Sequence, residues 1–291
     1  MHFRMGGIEL IESVKYTNKR EIFEIVEREG VTYLEFKDMQ KLPVIHGFST
    51  RLGGVSEGIY SSMNLSYTRG DDETAVTENF KRFAKSLGVS SESFVLSDQT
   101  HTTNIRRVGA EDRGKGFTKE RDYSDIDGLV TNEPGVTLAC FYADCVPLYF
   151  VDEKHHAIGL AHSGWKGTVG EIGRKMVETM EKEFQSRPED IVAAIAPSIC
   201  RNCYEVSEDV ALEFKKIFPE NEHNCIMDDK GNGKYQLDLW ECNRRILRKA
   251  GVDEEHIIVS NLCTCCNPKF LFSHRASQGK RGNLGAFLAL K

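Results

Sequence analysis

The sequence predicts one mixed α/β domain over all 291 residues. Two observations support this fold class. Apolar, strand-like runs alternate with helical periodicity from about residue 90 onward, and no tandem repeat, low-complexity segment or linker divides the chain. Three central runs, Gly135–Tyr142, Cys145–Val151 and Ala157–Ala161, are apolar enough for strands covered on both faces. We expect N-terminal strands within residues 1–40 to pack on a core formed by residues 41–291.

The N-terminal segments alternate apolar with polar residues, which predicts an antiparallel meander over Ile8–Val14, Glu21–Val26 and Val31–Phe36. Val44–Thr50 is predicted as a further strand. The loop that follows, Arg51–Ser56, carries a charged side chain beside two glycines. Its backbone N–H groups could face an anion, or the segment could form an ordinary turn.

Helical periodicity and end signals predict the helices. One begins at Asp71 or Asp72 and ends near Leu87, and another covers Thr168–Phe184, where Thr168–Glu171 fits a capping box. Asp238 is a predicted cap for a helix that ends at Ala250, before Gly251. The remaining predictions are a helix over Val206–Phe218, loops over Glu111–Asp125 and Glu220–Lys234, and short strands at Ser93–Ser97, Ile105–Val108, Ile191–Ala196 and His256–Ser260. Residues Ile126–Val130 lead into the central strands, and Phe270–Phe272 and Ala286–Leu290 are apolar runs near the end of the sequence.

Composition narrows the class of protein. The net charge of −6 argues against a nucleic-acid-binding surface, which usually shows a basic stripe. The longest apolar stretch contains Asp144 and Pro147, so no membrane span is expected, and no secretory signal is recognisable. Nine cysteines at uneven spacing do not form a disulfide framework. They favour a reducing cytoplasm, and no obligate protein partner is evident.

His101, Cys145 and His162 are the candidate catalytic residues, because each lies beside a predicted strand end. Imidazole and thiolate ligands select zinc or related metals, and catalytic zinc usually keeps one position open. Taken singly, His101 could be a surface residue and Cys145 a small buried hydrophobe. Cys145 could also act as the nucleophile of a cysteine hydrolase, with His162 and either Asp144 or Asp127.

A second group of cysteines is Cys200, Cys203, Cys263, Cys265 and Cys266. Two C-x-x-C pairs normally indicate a structural zinc site, but here they are separated by far more than the usual 15–20 or so residues. A zinc site, free thiols near a pocket and a labile disulfide all remain open.

Seven motifs in a fixed order resemble the YfiH/YlmD-like family. Its members were long labelled multicopper polyphenol oxidases, or laccase-domain proteins, and are now described as purine nucleoside phosphorylases with adenosine deaminase activity. The motifs are HGFSTRLGGVS (46–56), QTH (99–101), DIDGLVT (125–131), ADCVPLYFVD (143–152), HSGWKG (162–167), AP-x-I-x-x-x-x-YEV (196–206) and FLFSHRASQGKRGN (270–283).

This resemblance implies a single zinc ion, with copper as an alternative, bound by His101, Cys145 and His162. It implies cleavage of adenosine, inosine and methylthioadenosine with phosphate to the free base and ribose 1-phosphate. It also implies an α/β sandwich of mixed sheets with helices outside, a fold shared with a bacterial cysteine-hydrolase toxin domain. A laccase-like copper oxidase is disfavoured, because the chain lacks the H-x-H pairs of copper clusters.

The same resemblance supplies candidates for substrate binding. Arg51, Lys166 and Arg275 would hold phosphate, while Asp144 or Asp127 would contact ribose hydroxyls or orient a ligand histidine. The chain departs from the family pattern with Thr102, Ser163 and Lys166, and a lysine contacts phosphate as a point charge. Trp165 could stack on a base or pack in the core.

Overall fold

A computed structural model describes residues 11–291. In chain order the strands are β1 (Phe23–Arg28), β2 (Val31–Phe36), β3 (Val44–Ser49), β4 (Phe94–Leu96), β5 (Ile105–Arg107), β6 (Gly128–Thr131), β7 (Thr137–Tyr142), β8 (Val146–Asp152), β9 (Ala157–Ser163), β10 (Val192–Ile195), β11 (Glu205–Ser207), β12 (Met227–Gly231), β13 (Lys234–Leu237), β14 (Ile257–Val259) and β15 (Leu284–Leu290). The helices that lie wholly within these residues are α1 (Glu73–Leu87), α2 (Trp165–Val169), α3 (Ile172–Phe184), α4 (Glu208–Ile217), α5 (His223–Ile226) and α6 (Leu239–Lys249).

Two six-stranded mixed sheets form the centre of the molecule. The first has the order β1-β2-β3-β15-β7-β4 and the second β14-β10-β8-β9-β6-β5, while β11, β13 and β12 form a small third sheet. In the first sheet β15 runs antiparallel to both β3 and β7. This arrangement confirms the predicted sandwich of mixed sheets flanked by helices.

The two large sheets pack face to face through apolar side chains, and two buried tyrosines also join them by hydrogen bonds. The Tyr149 hydroxyl of β8 donates to the Gly47 carbonyl of β3 at 2.9 Å. The Tyr142 hydroxyl of β7 donates to the Ala161 carbonyl of β9 at 2.9 Å. The second bond lies one residue from His162, so it fixes the distance between the sheets beside the candidate site.

Helices cover the outer faces. On the first sheet, α1 buries Phe80 and Phe83 against β15, where the Phe83 and Phe287 ring centroids are 4.6 Å apart. On the second sheet, α3 packs over β9 and β6 while α6 packs over β10 and β14, and together they cover a separate apolar core. Among residues 11–291, no helix has the length and apolar character that a membrane crossing requires.

The cap predictions for α1 and α6 are confirmed. The Asp72 side chain accepts a hydrogen bond from the Ala75 N–H at 2.8 Å, and Asp238 accepts one from the Glu241 N–H at 3.0 Å. Each carboxylate therefore satisfies an N–H group that the first helical turn leaves unpaired.

The predicted helix over Thr168–Phe184 is wrong at its start. The chain becomes helical at Trp165, and α2 ends before Glu171, which adopts a left-handed conformation at φ 54°. Thr168 thus lies inside α2, and its hydroxyl donates back to the Gly164 carbonyl at 3.0 Å. No capping box forms, because Glu171 is the break between two helices.

Other boundaries also differ from the predictions. Residues 11–14 form no strand, and the rest of the predicted strand Ile8–Val14 lies outside the described residues. Glu205–Ser207 is a strand that precedes α4, and the predicted loop Glu220–Lys234 contains α5 and β12. The Glu111–Asp125 loop is cross-linked by Lys115, which contacts both Asp112 and Asp122 within 2.8 Å.

Replacing Phe83 by alanine should lower the free energy of unfolding by about 3–5 kcal/mol, because it leaves a cavity between α1 and β15. Urea denaturation followed by circular dichroism measures this difference. Lys81→Ala removes an exposed side chain from the same helix and should change stability by no more than about 0.5 kcal/mol. Equal effects of the two substitutions would contradict the packing described for α1.

Candidate metal and substrate site

His101, Cys145 and His162 lie together at one edge of the sandwich. Cys145 directly precedes β8, and His162 lies near the end of β9, whose antiparallel pairing with β8 places Pro147 opposite His162. His101 belongs to the loop between β4 and β5. The candidate ligand atoms of the three side chains all lie within 4.8 Å of one another, and His101 Nε2 is 3.9 Å from Cys145 Sγ.

The buried carboxylate of Asp127, which precedes β6, organizes this cluster. It accepts hydrogen bonds from the backbone N–H groups of Thr100, His101 and Thr102 at 3.1, 3.2 and 2.8 Å. Its Oδ1 also lies 2.7 Å from His162 Nδ1. One side chain therefore holds the loop that carries His101 and orients the ring of His162, leaving the Nε2 of His162 for another ligand.

His101 has an unusual backbone conformation, with φ at 66°. Non-glycine residues rarely adopt this left-handed region, and they do so where surrounding contacts impose it. Here the contacts are the three successive amides bound to Asp127. These hydrogen bonds offset the cost of the left-handed backbone. In this conformation the imidazole of His101 lies next to Cys145.

Electrostatics favours a thiolate at Cys145. Burial opposes ionisation, but Coulombic attraction to His162 and hydrogen bonds from His101 and His162 outweigh it and lower the pKa of Cys145 to about 6. Burial likewise opposes the charged form of His162, while the Cys145 thiolate and Asp127 raise the pKa of His162 to about 9. Two imidazoles and a thiolate in this arrangement fit a zinc-type ion with an open coordination position.

The cluster lies in a cavity of about 570 Å³. This volume falls in the range of small-molecule pockets. The aromatic residues Tyr67, Phe117 and Phe141 contribute to its lining, together with Arg69 and Arg281.

Arg51 and Lys166 do not line this cavity. Arg51 donates hydrogen bonds to the Ser61 and Pro268 carbonyls at 2.8 and 2.7 Å, and its guanidinium lies 4.6 Å from the Phe272 ring centroid. Lys166, in the first turn of α2, is exposed and lies 5.7 Å from the Trp165 ring centroid. Trp165 packs against the core of the second sheet.

Asp144 and Arg275 tie loops together behind the cluster. Asp144 accepts hydrogen bonds from the Thr264 hydroxyl at 2.6 Å and from the Arg275 N–H at 2.7 Å. The Arg275 guanidinium donates to the Cys203 and Glu205 carbonyls at 3.1 and 3.0 Å. Both side chains therefore have backbone or loop partners, and neither lines the cavity.

Sequence reasoning missed Arg281 and Arg69. The Arg281 guanidinium donates to the Gly282 carbonyl at 3.3 Å and contacts Asn283 Oδ1. Both of these partner groups are uncharged. Its buried Nε has no hydrogen-bond partner among the described residues. Burial, followed by the nearby Arg69 cation, lowers the pKa of Arg281 to about 10. The 270–283 motif contains both Arg275 and Arg281. The family resemblance supplies Arg275 as a phosphate-binding candidate, and the adjacent basic pair Lys280-Arg281 is the feature that could have indicated Arg281.

The Arg51–Ser56 loop forms the ordinary turn rather than an anion nest. The Gly54 N–H donates to Ser62 Oγ at 3.1 Å, and the Val55 N–H donates to Asn79 Oδ1 at 2.8 Å. The Ser56 N–H donates to the Ser62 carbonyl at 3.0 Å. These amides are used within the fold and do not face a ligand.

Comparisons with known proteins identify the family to which this chain belongs. Residues 45–291 match the family model described as multi-copper polyphenol oxidoreductase laccase. A protein of Bacillus subtilis named purine nucleoside phosphorylase YlmD is 40% identical over 252 residues, which cover 85% of this chain and 89% of that protein. The YlmD protein of Geobacillus stearothermophilus, of the same name, is 39% identical over 84% of this chain and 89% of its own length.

Solved structures show the same fold. The hypothetical protein YfiH of Bacillus licheniformis superimposes with a TM-score of 0.87 at 35% identity, covering 94% of this chain and 100% of that chain. YlmD of Geobacillus stearothermophilus gives the same TM-score and coverage at 36% identity.

Replacing Asp127 by asparagine should weaken metal binding at this site about 10–100-fold. The substitution removes the negative charge and one of the two acceptor oxygens that hold the 100–102 loop and His162. Zinc competition with a chromogenic chelator measures the affinity. The zinc binding that wild-type protein shows and a His162→Ala variant lacks is assigned to this site. Asp125→Asn is the matched control, since Asp125 is exposed and its carboxylate accepts from the Thr100 hydroxyl at 2.7 Å. Unchanged affinity in Asp127→Asn would refute the organizing role of this carboxylate.

Proposed function

This chain belongs to the multi-copper polyphenol oxidoreductase laccase family, within which its relatives are named purine nucleoside phosphorylases, and we propose that it is a metal-dependent enzyme of that kind. The observation that carries the proposal is the convergence of His101, Cys145 and His162 in a nucleoside-sized cavity that three arginines also line. The substrates are adenosine, inosine and methylthioadenosine, each together with phosphate.

In the proposed reaction, a phosphate oxygen forms a bond to the anomeric carbon of the sugar as the bond to the purine nitrogen breaks. The electron pair of the broken bond leaves with the purine, which then takes up a proton. The products are the free base and ribose 1-phosphate, or methylthioribose 1-phosphate. The enzyme must therefore hold an anion against the sugar and keep the base in place.

His101, Cys145 and His162 would hold one zinc ion, and their donor set fits this metal better than a copper cluster. Among the described residues this site offers two histidines and one cysteine, which is too few for several copper ions. Bound zinc supplies Lewis-acid stabilisation of developing negative charge. Asp127 keeps His162 in the tautomer whose Nε2 can act as a ligand.

We assign phosphate binding to Arg281 and Arg69. Both guanidinium groups donate to uncharged carbonyl oxygens, and the two arginines are near each other. A doubly charged anion between them would be stabilised by both positive charges. Arg121 also lines the cavity, but its guanidinium pairs with Asp98 at 2.7 Å and is already neutralised. Arg51 and Arg275 donate to backbone carbonyls, and Lys166 lies over the Trp165 ring. None of the three lines the cavity.

The aromatic wall provides the subsite for the base. Tyr67, Phe117 and Phe141 line the cavity and are only partly buried, so they offer ring surface to a flat ligand. Base–aromatic stacking tolerates a change of exocyclic group. Stacking here therefore accommodates both the adenine and the hypoxanthine ring.

A cysteine hydrolase is not favoured, although Cys145, His162 and Asp127 have the order of contacts that a nucleophilic triad needs. The relatives of this chain are named as phosphorylases, and the cavity contains cationic groups that peptide hydrolysis does not require. The two mechanisms differ in their dependence on phosphate.

Purified protein should release adenine from adenosine and hypoxanthine from inosine only when phosphate is present. Cys145→Ala and His162→Ala should each lower the rate on the order of 100-fold or more, since each removes a ligand of the ion that stabilises charge. Chromatography of bases and nucleosides gives the rates, and inosine formed from adenosine without phosphate tests the deaminase side activity. Base release that is independent of phosphate or unaffected by both substitutions would refute the proposal.

Replacing Arg281 by methionine should raise KM for phosphate about 10–100-fold, because a hydrogen bond to a charged group contributes about 1.5–3 kcal/mol. KM for the nucleoside should change little. Arg51→Met and Lys166→Met are the matched controls, since both side chains lie outside the cavity lining. If Arg51→Met or Lys166→Met raises KM for phosphate and Arg281→Met does not, the assignment of the phosphate subsite is wrong.

A further inference from the structure

Four cysteines from two distant segments converge behind the candidate catalytic site. Cys200 and Cys203 follow β10, while Cys263 and Cys266 follow β14, which pairs parallel with β10. The parallel pairing continues as a bridge between Ser198 and Cys263. Adjacent parallel strands therefore deliver both C-x-x-C pairs to one point, although their separation in sequence is long.

The sulfur positions match a tetrahedral thiolate site. All four Sγ atoms lie within 4.8 Å of one another, and the Cys203 and Cys266 sulfurs are 3.5 Å apart. A zinc ion with bonds of about 2.3 Å to four sulfurs in a tetrahedron requires S–S separations of about 3.8 Å. A disulfide requires about 2.05 Å. The spacing thus suits a shared ion better than a sulfur–sulfur bond.

We propose that Cys200, Cys203, Cys263 and Cys266 bind a second, structural zinc ion, separate from the site of His101, Cys145 and His162. Four soft thiolates with no open position are the donor set of structural zinc. Cys200 and Cys263 are buried, and the Cys200 N–H donates to Cys263 Sγ at 3.2 Å. Backbone N–H groups directed at sulfur stabilise a thiolate, which a metal ligand must be.

This second site supports the first through Asp144. Asp144 precedes Cys145 and has a left-handed backbone, with φ at 85°. Its carbonyl accepts from the Ile199 N–H at 3.0 Å, and its carboxylate accepts from the Thr264 hydroxyl at 2.6 Å. Ile199 and Thr264 are each next in sequence to a cysteine of the group. The proposed ion therefore holds both segments that position Asp144, and through it Cys145.

The test is the number of zinc ions in the full-length protein, measured by mass spectrometry of metals after dialysis. Wild-type protein should contain two per chain, and His162→Ala should keep one. Cys203→Ser/Cys266→Ser should lose the second ion and lower Tm and kcat, while KM for phosphate changes little. Cys225→Ser and Cys265→Ser are the controls, because both residues lie outside the group of four, and they should keep two.

A second measurement covers the case in which the double variant fails to fold. Cobalt substituted into the folded Cys145→Ala protein should give the intense thiolate-to-metal absorption of a four-sulfur site. Absence of that absorption, or native mass spectra that show loss of two hydrogens for each cysteine pair, would overturn the inference in favour of free thiols or disulfides. Failure of the phosphorylase assay alone would leave the zinc count of this site unaffected, so the two proposals fail separately.

Discussion

The site depends on a single buried carboxylate. Asp127 accepts hydrogen bonds from three successive amides and lies 2.7 Å from the imidazole of His162, so backbone donors and one histidine ring together compensate its negative charge. It holds the loop in which His101 has a left-handed conformation, and it sets the ring orientation of His162. The candidate metal ligands His101, Cys145 and His162 come from three separate segments, and Asp127 contacts two of these segments. The relative position of the 100–102 loop and His162 therefore depends on Asp127, which lies directly before β6.

Much of the fold could be predicted from the sequence, because the strongest signals are local. Apolar runs identified β7, β8 and β9, and capping aspartates identified the starts of α1 and α6. The same approach failed where tertiary contacts override local preference. Gly167, Thr168 and Val169 are poor helix formers, and the packing of this segment against α6 and the second sheet accounts for the short helix α2. The Glu220–Lys234 segment is too polar to display the strand that pairs with β13.

The site was less accessible to the same reasoning. His101, Cys145 and His162 were candidates because each lies beside a predicted strand end, and the family resemblance implied that the three share one metal ion. Resemblance could not show which arginines face the cavity. Arg275 and Arg281 lie in the same motif, but one guanidinium binds backbone carbonyls of the 203–205 segment and the other enters the cavity with neutral partners. That difference arises from tertiary contacts between segments some 70 residues apart, which no local pattern encodes.

The position of β15 has a consequence for biosynthesis. This strand, near the C-terminal end of the sequence, lies between β3 and β7 in the first sheet. A ribosome-bound chain that lacks it exposes the unpaired edges of both neighbours, together with the aromatic surface of α1 that Phe287 covers. The sheet can close only after residues 284–290 have been synthesised. Chains that stall or terminate before residue 284 would therefore present two open β-edges to chaperones and proteases.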